Sequence, residues 1–202
     1  MAAELERGFA VLHKHVTRGV AVFSSARTPE ESPGYETARA VGRALGDAGF
    51  CVITGGGPGA MEAANRGARD AGTTSVGLTI DLPFEQEHPR YVDLEVDFHY
   101  FFARKVMFVR YSSAFVVLPG GYGTLDELFE ALTLIQTGKI RFFPVVLVGT
   151  DYWSGLVDWL RERMLAEGNI SPDDLDILHV TDSIEEVVEI CASAVHRQWG
   201  EE

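Results

Sequence analysis

Cationic side chains are scarce in this chain: 17 Lys and Arg stand against 30 Asp and Glu, a formal net charge of −13. A protein so acidic has no general attraction for nucleic acid or an anionic membrane. Any phosphate it binds must be held locally, by backbone N–H groups and a few placed cations. Cysteine is scarcer still. Cys51 lies in the apolar run Phe50-Cys51-Val52-Ile53 and Cys191 in a helical pattern, both without CxxC spacing or a His/Asp cluster. Two buried thiols in a reducing compartment are expected. The six histidines, at 13, 15, 88, 99, 179 and 196, show no zinc spacing, so no metal requirement is expected. No stretch approaches the roughly 18 unbroken apolar residues of a membrane span. Residues 1–15 are charged and lack a signal peptide's apolar core. These absences point to a soluble, cytoplasmic protein with neither nucleic-acid nor membrane partners.

What is present is ordinary globular composition, 46% apolar and 23% charged over 202 residues. That length suits one domain with a sizeable core, and a single domain over 1–202 is expected. No repeat, low-complexity tract or linker interrupts it. After a short helix at 3–17, apolar runs alternate with helical patterns. Strands are expected at 20–23, 50–54, 75–80, 91–96, 114–118 and 143–148. Helices are expected at 35–48, 59–71, 100–111, 124–137, 152–167 and 184–197. Short apolar runs without polar alternation suit strands covered on both faces. Helices between them imply right-handed βαβ units. The fold class is therefore α/β: a single doubly wound, mostly parallel sheet, Rossmann-like, with ligands bound beyond the strands' carboxyl ends.

The motifs fall at such ends. Val116-Val117-Leu118 runs into Pro119-Gly120-Gly121-Tyr122-Gly123-Thr124-Leu125-Asp126-Glu127. Gly120, Gly121 and Gly123 let the backbone approach a ligand, and the following helix start offers N–H groups and a favourable dipole to an anion. Thr124 can cap that helix or give its hydroxyl to a phosphate. The bland alternative is a glycine-rich turn with no ligand. A second cluster, Gly55-Gly56-Gly57-Pro58-Gly59-Ala60, opens another helix and satisfies the G-x-G-x-x-A dinucleotide fingerprint, with Asp81 placed for a ribose contact. An NAD-dependent oxidoreductase is thus a rival. The cluster fits equally well as the opposite wall of a mononucleotide site, through Gly56 and Gly57. Ser24 and Ser25 end the first strand and can join the same crevice.

Two charged residues stand out. Arg104, beside Lys105, itself a candidate phosphate or substrate contact, sits among Tyr100-Phe101-Phe102 and Val106-Met107-Phe108-Val109. A cation there wants an anionic partner, either a structural salt bridge or a phosphate or sugar. Glu127 lies three residues after Thr124, close to the phosphate cradle; that spacing also fits a capping box.

Together, Arg104-Lys105, Pro119-Gly120-Gly121-Tyr122-Gly123-Thr124-Leu125-Asp126-Glu127, Gly55-Gly56-Gly57 and Phe23-Ser24-Ser25 resemble the LONELY GUY (LOG) family, over about residues 20–188. These are cytokinin riboside 5′-monophosphate phosphoribohydrolases, long misnamed lysine decarboxylases. The resemblance implies a Rossmann-like fold, at least a homodimer, and release of free base from a nucleoside monophosphate without a cofactor. It puts the family's catalytic arginine and glutamate on Arg104 and Glu127, its phosphate loop on Gly120 through Thr124, and base-side contacts on Glu85 and Thr133. This chain departs from the family at Gly-Pro-Gly-Ala-Met-Glu (57–62) and along 78–99, which leaves adenosine monophosphate and prenylated nucleotides both open as substrates. A decarboxylase would need pyridoxal phosphate on a Schiff-base lysine; neither Lys105 nor Lys139 has such a setting. A nucleotide sensor without catalysis is the other alternative.

Overall fold

The computed structural model describes residues 1–81, 89–141 and 143–199, with side chains described up to 195. Its sheet has seven strands: β1 (Gly19–Phe23), β2 (Cys51–Thr54), β3 (Ser75–Ile80), β4 (Leu94–Phe98), β5 (Phe115–Val117), β6 (Val145–Val148) and β7 (Leu178–Thr181). All pairings are parallel, in the order β4-β3-β2-β1-β5-β6-β7. Ala21 pairs with Ile53 on one side and Phe115 on the other. β1 is therefore the strand from which the chain winds outward in both directions.

The inner strands β1, β2, β5 and β6 are buried at every residue, as their unbroken apolar runs require. Alternate residues serve opposite faces. Ala21 and Phe23 join one apolar cluster with Leu12, Met107, Phe108, Leu128 and Trp153. Val20 and Val22 join the other with Val41, Leu45, Ala64 and Val187. The first face is covered by α1 (Ala2–His15), α4 (Phe101–Tyr111), α5 (Tyr122–Gln136) and α6 (Thr150–Trp159). The second is covered by α2 (Pro33–Asp47), α3 (Ala60–Asp70) and α8 (Ile184–Trp199). A short α7 (Pro172–Leu175) precedes β7.

Some boundaries differ from the sequence expectation, for local reasons. The strand expected at 91–96 is β4 at Leu94–Phe98, where Leu94, Val96 and Phe98 alternate with exposed Glu95 and Asp97. That alternation belongs to an edge strand and sets the pleat. β6 begins at Val145, after Pro144, which has no N–H to give but whose carbonyl accepts from Phe115 N–H at 3.0 Å. β7 was not anticipated; it is a four-residue, partly exposed edge strand. The helix expected at 152–167 begins at Thr150 and turns π-helical over Leu160–Leu165.

Candidate active site

β1 sits between β2 and β5, so the loops leaving β1 and β5 part at their carboxyl ends and open a crevice. A cavity of about 1590 Å³ occupies it, lined by Ser24, Ser25, Gly55, Gly56, Gly57, Arg104, Gly120, Gly121, Gly123, Thr124 and Glu127, among others.

The loop after β5 is built closely. A Cβ on Gly120 would lie 2.1 Å from Thr124 Oγ1, so glycine alone fits there. Gly121 is the N-cap of α5. The first intrahelical bond runs from Leu125 N–H to the Gly121 carbonyl at 3.0 Å, leaving the N–H groups of Tyr122, Gly123 and Thr124 ahead of the ladder. Those groups and the helix dipole make an anion site. Thr124 is not the cap. It is buried, and its hydroxyl donates to the Ser24 carbonyl at 3.2 Å, tying the β5 loop to the β1 loop. Its single proton is thereby committed. The capping-box reading fails with it, because Glu127 falls in the second turn of α5.

Glu127 is 5% exposed. Burial raises its carboxyl to about 7; nearby Lys105 and Arg104 oppose that rise, while Glu130 and Asp126 add to it. Arg104 lies across the cavity on α4, its guanidinium over Phe101 at 5.3 Å and Phe108 at 5.7 Å. Its Nη1 would be 3.7 Å from a Cβ on Gly55, so it bridges toward the β2 loop. Lys105 is turned elsewhere. Its Nζ lies 2.8 Å from both Asp126 and Glu130, away from the cavity lining. Thr133 is exposed outside the cavity, its hydroxyl bound to the Phe129 carbonyl at 2.7 Å. Glu85 lies outside the described residues.

The glycine cluster after β2 forms a wall of the cavity, with one consequence for the NAD reading. Gly59, at φ +69°, caps α3, and a Cβ there would meet the Ser25 carbonyl at 2.8 Å. The Ala60 N–H donates to that same carbonyl at 3.0 Å. The first N–H of α3, one of those a dinucleotide's pyrophosphate would use, is thereby taken by the chain's own backbone. Two further features mark the site, the second of them not singled out from sequence. Ser24 Oγ is buried without a hydrogen-bond partner among the described residues. Tyr152, in the first turn of α6, donates its hydroxyl to the Gly120 carbonyl at 2.7 Å. An aromatic residue just after the end of β6, the strand beside β5, was the available signal.

Comparison with known proteins shows the family. A family model described as "Possible lysine decarboxylase" matches residues 61–191. The chain is 34% identical to a cytokinin riboside 5′-monophosphate phosphoribohydrolase of Mycobacterium tuberculosis, over 86% of this chain and 92% of that protein. It is 30% identical to the Arabidopsis thaliana enzyme of that name, LOG3, over 88% and 83%. The chain belongs to the LONELY GUY family. Among solved structures, this LOG-family chain resembles the protein TM1055, with 26% identity and a TM-score of 0.67 over 88% of this chain and 99% of that one. It also shares its fold with the molybdenum cofactor carrier protein of Chlamydomonas reinhardtii (24% identity, TM-score 0.65, 90% and 98% coverage). The family model's decarboxylase description finds no Schiff-base lysine here. Burial works to lower the Lys105 amine, but the hydrogen bonds it donates to Asp126 and Glu130 outweigh it and hold the amine above the ordinary lysine value. Lys139 is on the surface.

Proposed function

We propose that this protein hydrolyses the N-glycosidic bond of a nucleoside 5′-monophosphate, releasing free base and ribose 5-phosphate. The observation that carries the reading is a buried carboxylate, Glu127, beside an open helix start in the same cavity as Arg104. The N–H groups of Gly121, Tyr122, Gly123 and Thr124 hold the 5′-phosphate. The C1′–N bond breaks, its electron pair leaves with the base, which takes up a proton from solvent, and ribose passes through an oxocarbenium-like state. Glu127, as carboxylate, stabilises that charge or takes a proton from the water that forms the new C1′–O bond. Arg104 fixes ribose or phosphate. The relatives' names support this substrate class. Gly56, Gly57 and Ser25 complete the walls.

We place the reaction in the cytoplasm, consistent with two free, buried cysteines. Among the described residues no helix is long and apolar enough to cross a membrane. A homodimer is part of the reading: Tyr100, Phe101, Phe102 and Val106 at the start of α4 are all at least 40% exposed, an apolar surface suited to a second copy.

The test is base release from a panel of nucleoside monophosphates, including adenosine monophosphate and isopentenyladenosine monophosphate. Wild type should release base and Glu127→Ala should not. Binding without release by the wild type would leave only the sensor.

A further inference from the structure

The Gly120 carbonyl is engaged from outside the cradle. Tyr152 donates to it at 2.7 Å, with its ring half exposed at the cavity rim. The start of α6 does not need this contact. It is already secured by Thr150 N–H on the Asp182 carboxylate at 2.8 Å and by the Trp153 indole N–H on the Val148 carbonyl at 3.1 Å.

What the contact restrains is a peptide between two glycines. With no Cβ on either side, rotation of the Gly120–Gly121 peptide plane meets little steric resistance. The peptide is trans, so its carbonyl and the Gly121 N–H point in opposite directions. β5 lies between β1 and β6. α6 packs against β6 and β7, so a carbonyl aimed at its start sends the N–H away from them, toward the β1 side, where Ser24 and Ser25 line the crevice. The reverse setting would turn a carbonyl oxygen, with its partial negative charge, on an anion in the cradle.

We propose that Tyr152 is a positioning residue: it holds the Gly120 carbonyl on the α6 side and so keeps the Gly121 N–H turned to the substrate's 5′-phosphate. This rests on the nucleotide reading above. The hydroxyl acts through the peptide rather than on substrate, and it selects for the phosphate rather than for the base.

The experiment is calorimetric titration of wild type and Tyr152→Phe with inorganic phosphate, adenosine monophosphate and adenosine. Loss of one hydrogen bond should raise the dissociation constants for phosphate and the monophosphate together, by roughly three- to tenfold. The adenosine constant should move less than about twofold, and in steady state KM should rise more than kcat falls. Unchanged phosphate and monophosphate affinity would overturn the positioning role and leave the nucleotide reading standing. An equal loss for adenosine would overturn it as well, showing general loosening. A wild type that binds none of the three would overturn both.

Discussion

Glu127 is a carboxyl whose burial and purpose oppose each other. In the folded protein it titrates near 7 instead of 4.5, chiefly because it is removed from water. The folded state therefore binds more protons than the unfolded chain between those values, and stability falls as pH rises through that window. Glu127→Gln should abolish the dependence and be more stable than wild type above pH 7, by up to roughly 3 kcal/mol; urea denaturation at about pH 5 and 8 measures it. Catalysis runs the other way. A step that needs the carboxylate should give a kcat/KM that climbs to a plateau above an apparent pKa of about 7. A flat profile from pH 5 to 9 would remove Glu127 from that role. Thr124 makes a second residue-scale case. Thr124→Val removes the hydroxyl bond to the Ser24 carbonyl and should cost about 1–2 kcal/mol, while Thr124→Ser should keep most of it; thermal unfolding of both variants is the check.

Among the elements, α3 is tied to the sheet by a polar contact as well as by its alanine face. Asn65 accepts from the Thr54 hydroxyl at 2.6 Å and donates to Ser75 Oγ at 2.8 Å and the Val76 carbonyl at 3.3 Å. Thr54 Oγ1 in turn accepts from the Gly56 N–H at 2.9 Å. One buried side chain thus joins α3, β2 and β3 and sets the glycine wall of the cavity. Asn65→Ala should leave Thr54 and Ser75 short of partners and cost about 2–3 kcal/mol, with nucleotide affinity falling as well. Denaturant midpoints and titrations on the variant test both; a loss under about 0.5 kcal/mol would show that the network is dispensable.

At the scale of the whole molecule, a net charge of −13 must coexist with binding a phosphate. The fold reconciles them by gathering helix-start N–H groups and the cations Arg7, Arg27, Arg90 and Arg104 in one crevice, where they offset the acidic Glu62, Asp81, Glu95, Asp97 and Glu127 that also line it. The start of α4 carries a group of exposed apolar side chains. Phe102 and Val106, four residues apart on one face, are both nearly half exposed. Light scattering after size exclusion should show wild type as at least a dimer and Phe102→Glu/Val106→Glu as a monomer. A monomeric wild type would refute the homodimer.

Sequence alone determined the parallel α/β architecture, because a strand covered on both faces must be apolar without alternation. It determined the glycine turns at strand ends too, since a chain that brings its backbone to an anion has few other residues to use. The ends of β4 and β6, and β7 itself, were less legible: edge pleat and proline placement act over one or two residues. Only the tertiary structure decided how each helix start is used. Both glycine clusters read alike along the chain, yet the Ser25 carbonyl takes the first N–H of α3, while the N–H groups of Tyr122, Gly123 and Thr124 at the start of α5 lie ahead of its ladder. It also separated Arg104 from its neighbour Lys105. Adjacent residues on a helix point about 100° apart, and what each meets, a cavity or two carboxylates, belongs to packing between segments distant in the chain.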